Sequence, residues 1–209
     1  MNIKHLFPLI FPVFIAACGS EPQENTVLGP YLQGIQSLGR PAPVSPSADE
    51  IRDQITPAVR SELGGAPLMI AVLEKNNLAS VLIKEQSNRN LVTYFTPDGI
   101  SLTLKDGVLV GTRGLGFDLM SADVADVLPA LSRNGSEIVR IHRYLDGEDQ
   151  IVIQSFICDV RGQREVVETC HGDGLKIENS YQTNGSGRIV SSRQWISPEQ
   201  GYVRLEPAS

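Results

Sequence analysis

A cysteine near the start of the chain stands in a sequence that could direct covalent lipidation. Ile15-Ala16-Ala17-Cys18 places an aliphatic residue three positions before the cysteine and small residues directly before it. This is the bacterial lipobox pattern, at which the thiol accepts a diacylglyceryl group and a peptidase then cuts before the cysteine. Residues 6–17 form an uncharged apolar run, too short for the roughly 20 residues of a spanning helix. The sequence therefore predicts a lipoprotein signal peptide over 1–17 and lipidation at Cys18.

Acylation at Cys18 would anchor the mature chain to membrane lipid without spanning the bilayer. Each buried CH₂ contributes about 0.8 kcal/mol, so two or three chains such as palmitate hold far more firmly than one. Gly19 rather than aspartate follows the cysteine. The missing retention signal predicts sorting to the bacterial outer membrane, on its periplasmic face. The alternative is an ordinary secretory signal with an incidental cysteine.

The other two thiols, Cys158 and Cys170, are an even remainder in an exported chain and predict one disulfide. If they lie directly opposite in a hairpin, the pairing is centred on Arg164 and the loop has three or five residues. The alternative is a metal site that adds His171, which is a weak pattern without a fourth ligand. We expect no metal and no cofactor.

Ionisable side chains later in the chain offer weaker candidates for chemistry. Alternation on a strand places Arg140, His142 and Tyr144 on one face, where they could contact an acidic glycan or form an ordinary solvated face. Glu165 and Glu168 are three residues apart and point to opposite faces, so they cannot form the facing carboxylate pair of a glycosidase.

Nucleotide and hydrolase motifs are missing from the sequence. There is no G-x-S-x-G, Walker or H-E-x-x-H motif. Residues 111–116 contain three glycines after a strand but lack the dinucleotide-binding spacing, so we expect a close-packed turn there. Trp195, the only tryptophan, could stack on a sugar, although a position in the core or at the end of a strand is favoured. These features predict a protein that is not an enzyme.

Short helices precede a long run of strands. Residues 18–47 are predicted as a tether and proline-rich linker with a short helix at 28–38, followed by a single domain over 48–209. Ser47 with Glu50 forms a capping box, and Thr56 with Pro57 begins a second helix.

Strand periodicity begins after Pro67. Eleven strands are predicted at 68–74, 79–85, 91–95, 100–105, 108–112, 137–145, 150–160, 165–171, 175–182, 187–195 and 202–205. Residues 113–121 are predicted as a loop and 122–131 as one mid-chain helix. Asp-Gly turns and local connections favour a mainly β fold, a large antiparallel meander curled into a half-barrel or barrel-like sheet.

Composition excludes one class of partner. Lys plus Arg number 18 against 24 Asp plus Glu, which gives a net charge of −6. Such an acidic chain lacks the basic surface of a nucleic-acid binder, so no nucleic acid is expected.

Several stretches are recognisable when taken together: residues 107–119, 143–147, 168–170, 179–181, 192–198 and 201–202, together with Cys158. In this order they resemble the YjbF/GfcB family of lipoproteins from exopolysaccharide and group 4 capsule operons. The resemblance implies a curled antiparallel sheet and a role in polysaccharide production or export, with polysaccharide or other operon proteins as partners. It implies no catalytic residues. Its motif positions are a hypothetical shared surface: Thr112, Arg113, Gly114, Leu115, Gly116, Asp118, Gln194, Trp195, Ser197, Pro198, Gly201 and Tyr202.

Three functions compete at this point. The first is an outer-membrane-anchored, non-enzymatic glycan-handling or assembly module. The second is a carrier or chaperone for acyl chains or lipoproteins with an apolar half-barrel groove. It requires an open concave face lined with aliphatic side chains, whereas a glycan binder would show aromatic and arginine side chains there. The third is a polysaccharide hydrolase, which requires two carboxylates about 5–9 Å apart in a cleft.

Overall fold

The structure, a computed structural model, describes residues 46–145, 148 and 150–208. The predicted signal peptide, Cys18 and the helix at 28–38 lie outside the described residues. Among those described, no helix is both long and apolar enough to cross a bilayer.

Two short helices open the described chain, as their caps predict. Helix α1 spans Ala48–Gln54, and the Ser47 side chain and Glu50 cap each other's backbone N–H in a full capping box. Helix α2 spans Pro57–Glu62, with Thr56 accepting from the Val59 amide. Ile51 of α1 packs against aliphatic residues of the first two strands, so this helix covers the outer face of the sheet.

Twelve strands follow in a single antiparallel sheet. They are β1 (Leu68–Leu73), β2 (Leu78–Asn88), β3 (Leu91–Phe95), β4 (Ser101–Lys105), β5 (Val108–Arg113), β6 (Asp118–Asp123), β7 (Gly135–Leu145), β8 (Ile151–Gly162), β9 (Glu165–Gly172), β10 (Leu175–Thr183), β11 (Ile189–Ser197) and β12 (Gly201–Pro207). Each strand pairs with its neighbour in sequence, except that β1 pairs with β12 and β5 does not pair with β6.

The sheet curls until its two edges, β5 and β6, approach each other. A Cβ atom placed on Gly111 of β5 would lie 3.6 Å from the carbonyl oxygen of Leu119 on β6. The result is a nearly closed barrel, and the fold class predicted from the sequence is confirmed. Closure matters because an open strand edge is a template for unwanted pairing.

The region between β5 and β7 differs from the sequence-based prediction. The predicted loop at 113–121 contains the start of a twelfth strand, β6, and the predicted helix at 122–131 begins later, as α3 at Val127–Arg133. The strand forms because residues 118–123 pair with β7. Val127 and Ala130 of α3 pack with Val160 and Val166 of the barrel.

The predicted disulfide is confirmed. Cys158 and Cys170 are directly paired across β8 and β9 and their sulfur atoms are bonded. The last pair of that hairpin, Gly162 with Val166, centres it on residue 164 as predicted. Closing a loop of this length contributes about 3 kcal/mol in the chain-entropy model. Both cysteines are fully buried with Phe156 and Trp195.

Candidate functional site

The barrel interior contains a buried ion pair between Arg140 of β7 and Glu168 of β9. Nη1 of Arg140 lies 2.8 Å from Oε2 of Glu168, and both side chains have no exposed surface. Asn179 and Tyr181 of β10 donate to the same carboxylate oxygen at 2.9 and 2.7 Å. Because a buried charge is stable only when it is paired and hydrogen-bonded, this arrangement satisfies Glu168 and leaves no accessible acid or base there.

His142 extends the network and its protonation state follows from the geometry. Nε–H of Arg140 donates to Nε2 of His142 at 2.7 Å, so Nε2 carries no proton. The other ring nitrogen, Nδ1, lies 2.7 Å from the hydroxyl of Tyr144. Burial, and then the Arg140 charge, hold the pKa of His142 well below its usual value. His142 is therefore a neutral imidazole with its proton on Nδ1.

Burial also shifts the pKa values of Arg140 and of the neighbouring tyrosines, Tyr144 and Tyr181. Burial raises the pKa of Tyr144 to about 12, and burial with the Glu168 charge raises that of Tyr181 well above its usual value. Burial lowers the pKa of Arg140, but Glu168 and Tyr181 more than offset it, so the net direction is upward. The arginine stays charged and the tyrosines stay neutral across the physiological range.

The shared face predicted for Arg140, His142 and Tyr144 is correct, but both environments considered for it are wrong. All three side chains are fully buried inside the barrel, so they form neither a solvated face nor a contact surface for an acidic glycan. Alternation determines which residues share a face, but the charge of Arg140 suggested solvent. Its partner, Glu168, is 28 residues away in sequence. Glu165 and Glu168 lie on opposite faces as predicted, since Glu165 is exposed.

Motif residues on β5, β6 and the turn between them hold the two sheet edges together. The hydroxyl of Thr112 on β5 donates to Oδ1 of Asp118 on β6 at 2.7 Å and accepts from the Leu119 amide at 3.0 Å. The Asp118 carboxylate also accepts from the amides of Gly114 and Leu115. These side-chain bonds replace the ladder that β5 and β6 lack, since buried backbone groups need partners.

Arg113 crosses the same gap on the outer face. Its guanidinium donates to the carbonyl oxygens of Leu119 and Met120, each at 3.3 Å. The side chain therefore joins β5 to β6 while remaining exposed.

Residues of β11 and its following turn form hydrogen bonds with β5 and the turn after it. Ser197 donates to the Phe117 carbonyl at 2.9 Å, and the neighbouring Gln200 donates to the Leu115 carbonyl at 2.6 Å. Across the barrel interior, Gln194 of β11 accepts from the Leu109 amide at 2.7 Å. Residues of β11 and its following turn thus position the edge strand β5 and the turn after it.

The twelve motif positions are divided between the interior and the surface. Buried among them are Thr112, Asp118, Gln194, Trp195 and Ser197. Trp195 donates to the Tyr144 hydroxyl at 3.2 Å and packs in the core, as favoured from the sequence. Tyr202 is half-buried, with the guanidinium carbon of Arg193 lying 3.5 Å from its ring centroid. A shared recognition role for the twelve stays a prediction.

A cleft opens at the end of the barrel where the turns after β2, β4 and β10 meet. We call it the mouth cleft; its volume is about 420 Å³. Its lining combines Tyr94 on the inner face of β3 with Arg89, Arg188 and Asp106 on the turns. Burial raises the pKa of Tyr94, and the nearby Arg188 charge partly opposes this. An aromatic ring with flanking arginines is the lining predicted for a glycan binder.

A wider groove of about 880 Å³ lies on the outer face of β3 to β6. We call it the outer groove. Arg89, Lys105 and Arg113 are its charged lining residues, and no carboxylate lines it within the described chain. Arg89 borders both the outer groove and the mouth cleft.

The inner aliphatic face does not form the open groove that an acyl carrier needs. Leu82, Leu109 and Leu119 have no exposed surface and belong to one cluster of buried side chains. In the described part of the chain, aliphatic side chains line a recess at the mouth cleft, where Val92 and Leu104 lie beside Tyr94.

The three residues considered as metal ligands, Cys158, Cys170 and His171, do not come together as a metal site. Glu168 lies close to the sulfur atoms of Cys158 and Cys170, but those sulfurs are bonded to each other. His171, the third ligand considered, is exposed on the opposite face of its strand. A disulfide with an ion-paired glutamate has no thiolate to offer a cation.

These features define a class of protein: a nearly closed antiparallel barrel with a hydrogen-bonded ion pair in its interior and accessible recesses at its surface. The family model described as "Group 4 capsule polysaccharide lipoprotein gfcB, YjbF" matches residues 48–207. The chain belongs to this family, which links it to capsule polysaccharide and to lipoproteins.

A solved structure agrees in fold. The crystal structure of the hypothetical lipoprotein YmcC from Escherichia coli K12 superposes with a TM-score of 0.60, covering 78% of this chain and 92% of that chain at 12% identity. At this identity the likeness concerns the fold alone. Comparison with curated protein sequences gives no significant match.

Sequence reasoning singled out two residues that line the outer groove, Thr112 and Arg113, but missed four others of the two recesses: Tyr94, Arg188, Arg89 and Lys105. A usable signal was available, because alternate turns of an antiparallel meander lie at the same end of the sheet. The turns after β2, β4 and β10 therefore gather at one end, and the basic residues beside them cluster there.

Proposed function

We propose that this protein is a lipid-anchored, non-enzymatic accessory in the production or export of capsule or exopolysaccharide, and that it acts by holding glycan. Acylated Cys18 anchors it to the periplasmic face of the outer membrane. Family membership supports the link to capsule polysaccharide. The single observation that supports glycan handling is the mouth cleft, where Tyr94 lies with Arg89 and Arg188.

The distribution of carboxylates supports a binding role rather than hydrolysis. A glycosidase needs two carboxyl groups facing each other across the scissile bond. Among the described residues, Asp106 is the one carboxylate that lines the mouth cleft. A third recess contains Glu74 and Glu206, but arginines engage both of them in ion pairs.

Gene deletion tests the proposed function. We expect the deletion strain to lose surface polysaccharide, and the wild-type gene to restore it. Cys18→Ser should fail to restore it although the protein accumulates, because the body is no longer held at the membrane. Tyr94→Ala with Arg188→Gln should also fail, whereas Lys176→Gln, an exposed position on β10, should succeed.

Two results would contradict the proposal. One is unchanged surface polysaccharide in the deletion strain. The other is full restoration by Cys18→Ser together with absence of labelled palmitate from the wild-type protein.

A further inference from the structure

We propose that the outer groove binds an anionic polysaccharide, whose chain continues past Arg89 into the mouth cleft. This inference rests on the proposed function and specifies its ligand class: a polymer that carries carboxylate, phosphate or sulfate groups on its sugars. The observation that leads to it is a basic recess on an acidic protein.

The groove's charge is unbalanced. Arg89, Lys105 and Arg113 line it, and within the described residues none of the three forms an ion pair with a carboxylate. The chain as a whole carries a net charge of −6. Unneutralised cations in a recess concentrate anions there, since the walls focus the field of the charges.

The groove and the mouth cleft share one wall. The turn after β2 carries Arg89 and Asn90, and both residues line both recesses. Asp106, the one carboxylate at this wall, accepts from the Asn90 side chain at 2.8 Å. A chain leaving the groove past Arg89 therefore passes one carboxylate, Asp106, and reaches Tyr94 and Arg188 in the mouth cleft.

The remaining lining suits a glycan better than a lipid headgroup. Asn88, Ser101 and Thr103 line the groove and offer amide and hydroxyl groups that can bond to sugar hydroxyls. The site is also recessed, with a volume of about 880 Å³. A flat bilayer surface is attracted mainly by basic residues that protrude, whereas a flexible polymer can enter a recess.

Arg89 and Lys105 are the residues to change. Arg113 is unsuitable because it also holds β6 through the Leu119 and Met120 carbonyls. Arg89 and Lys105 have no such bond in the described structure. Arg133→Gln with Lys176→Gln is the matched control: it removes one arginine and one lysine from exposed positions outside the groove lining.

The experiment measures binding of fluorescent oligogalacturonate, a polymer of uronic acid, to the mature chain at low salt. A maltodextrin of the same length is the neutral comparison. We expect oligogalacturonate to bind more tightly than maltodextrin, and more weakly as NaCl screens the charges. Arg89→Gln with Lys105→Gln should weaken it by about tenfold or more, and the control pair by less than about twofold.

A steric variant tests the groove separately from its charge. Gly111 lies on the groove floor, and an added Cβ there would make only ordinary contacts, with its nearest neighbour at 3.6 Å. Gly111→Ala, which adds only that Cβ, should therefore fold, narrow the groove and weaken oligogalacturonate binding while keeping every charge.

Three outcomes would overturn the inference. The first is that the wild-type chain does not bind oligogalacturonate. The second is that the groove double variant and the control double variant lose equal affinity for it. The third is Arg89-dependent binding to phosphatidylglycerol vesicles in place of the polymer. Binding of maltodextrin alone would overturn the anionic ligand but keep a glycan-handling protein. The polysaccharide phenotype of the deletion strain is measured independently, so failure here is distinguishable from failure of the proposed function.

Discussion

The interior network and the outer groove are built from similar side chains but differ in their partners and in their access to water. Inside, Arg140 has no exposed surface and is paired with Glu168, which accepts further bonds from Asn179 and Tyr181. Outside, Arg89 and Lys105 line an open recess without a carboxylate partner in the described chain.

The difference separates two uses of arginine. A buried ion pair gains little net stability over apolar packing, but leaving one member unpaired is costly, so the interior network selects one arrangement of strands. An exposed cation without a partner contributes little to folding and remains available for a ligand. We therefore expect the network to specify the barrel and the groove to supply the binding surface.

The largest expected effect comes from breaking the interior pair. Arg140→Met should lower the free energy of unfolding by about 3–5 kcal/mol, because Glu168 is left buried without its counter-charge. Denaturant unfolding measures the change. Adding Glu168→Gln to Arg140→Met should recover part of the loss, since the orphaned charge is then removed.

An exposed ion pair is the control for that measurement. Asp159 and Arg161 are each 60% exposed and 3.6 Å apart, so Asp159→Asn should cost less than about 1 kcal/mol. If Arg140→Met costs no more than Asp159→Asn, the interior network does not specify the barrel and the comparison fails.

The next effect concerns the seam between β5 and β6. Thr112→Val keeps the side-chain shape but removes the bonds to Asp118 and the Leu119 amide. Leaving buried groups unsatisfied should cost about 1–3 kcal/mol, and hydrogen exchange at Leu119 should accelerate.

Thr93→Val is the matched control for the seam. Its hydroxyl is hydrogen-bonded to that of Thr103, 3.1 Å away, on the outer face of β3 and β4. Loss of this bond should leave hydrogen exchange at the Leu119 amide unchanged. Equal acceleration in both variants would show that Thr112 is not what holds the two edges together.

The sequence was sufficient for most of the fold because its signals are local. Asp106-Gly107 and Asp173-Gly174 adopt the positive φ angles of tight turns, and the eleven predicted strands are all present. The twelfth, β6, was missed because its first residue, Asp118, is a buried carboxylate whose partner is Thr112. Such a strand shows no regular alternation of apolar residues. Its burial depends on β5, the opposite edge of the sheet, which lies far from it in the strand order.

The functional surface was harder to predict for a related reason. Alternation placed Arg140, His142 and Tyr144 together but could not say which face was interior, because that depends on Glu168 two strands away in the sheet. The recesses combine residues of three separate turns, as with Arg89, Asp106 and Arg188. The alternation of turns places these residues at one end of the sheet, but their proximity depends on how the sheet curls, which no short stretch of sequence encodes.

A smaller effect tests the neutral state of His142. Its pKa is lower in the folded chain than the roughly 6.5 of an unfolded histidine, so the unfolded state binds the proton first. Stability is therefore fully present above about pH 6.5 and falls as the pH drops below it, by about 1 kcal/mol between pH 7 and 5.5 for this group. Denaturant unfolding at the two pH values measures this loss.

His142→Gln should remove that part of the pH dependence. His171→Gln is the control, because it removes an imidazole from an exposed position, and it should keep the wild-type decline. An unchanged slope in His142→Gln would mean that the pKa of this ring is the same in the folded and the unfolded chain, against the Arg140 hydrogen bond. A steeper decline would mean that the ring is protonated in the folded protein.

The smallest expected effect on stability is in the groove. Arg89→Gln with Lys105→Gln should change the free energy of unfolding by no more than about 0.5 kcal/mol, because no ion pair is broken. The control pair, Arg133→Gln with Lys176→Gln, makes the same change in net charge, so any general effect of charge repulsion is equal in both. Denaturant unfolding of the two double variants gives the comparison directly. A loss above about 1 kcal/mol in the groove pair alone would mean that these cations support the fold as Arg140 does. Weakened oligogalacturonate binding in that variant would then reflect a disturbed sheet, whereas unchanged stability assigns the loss to the ligand contact itself.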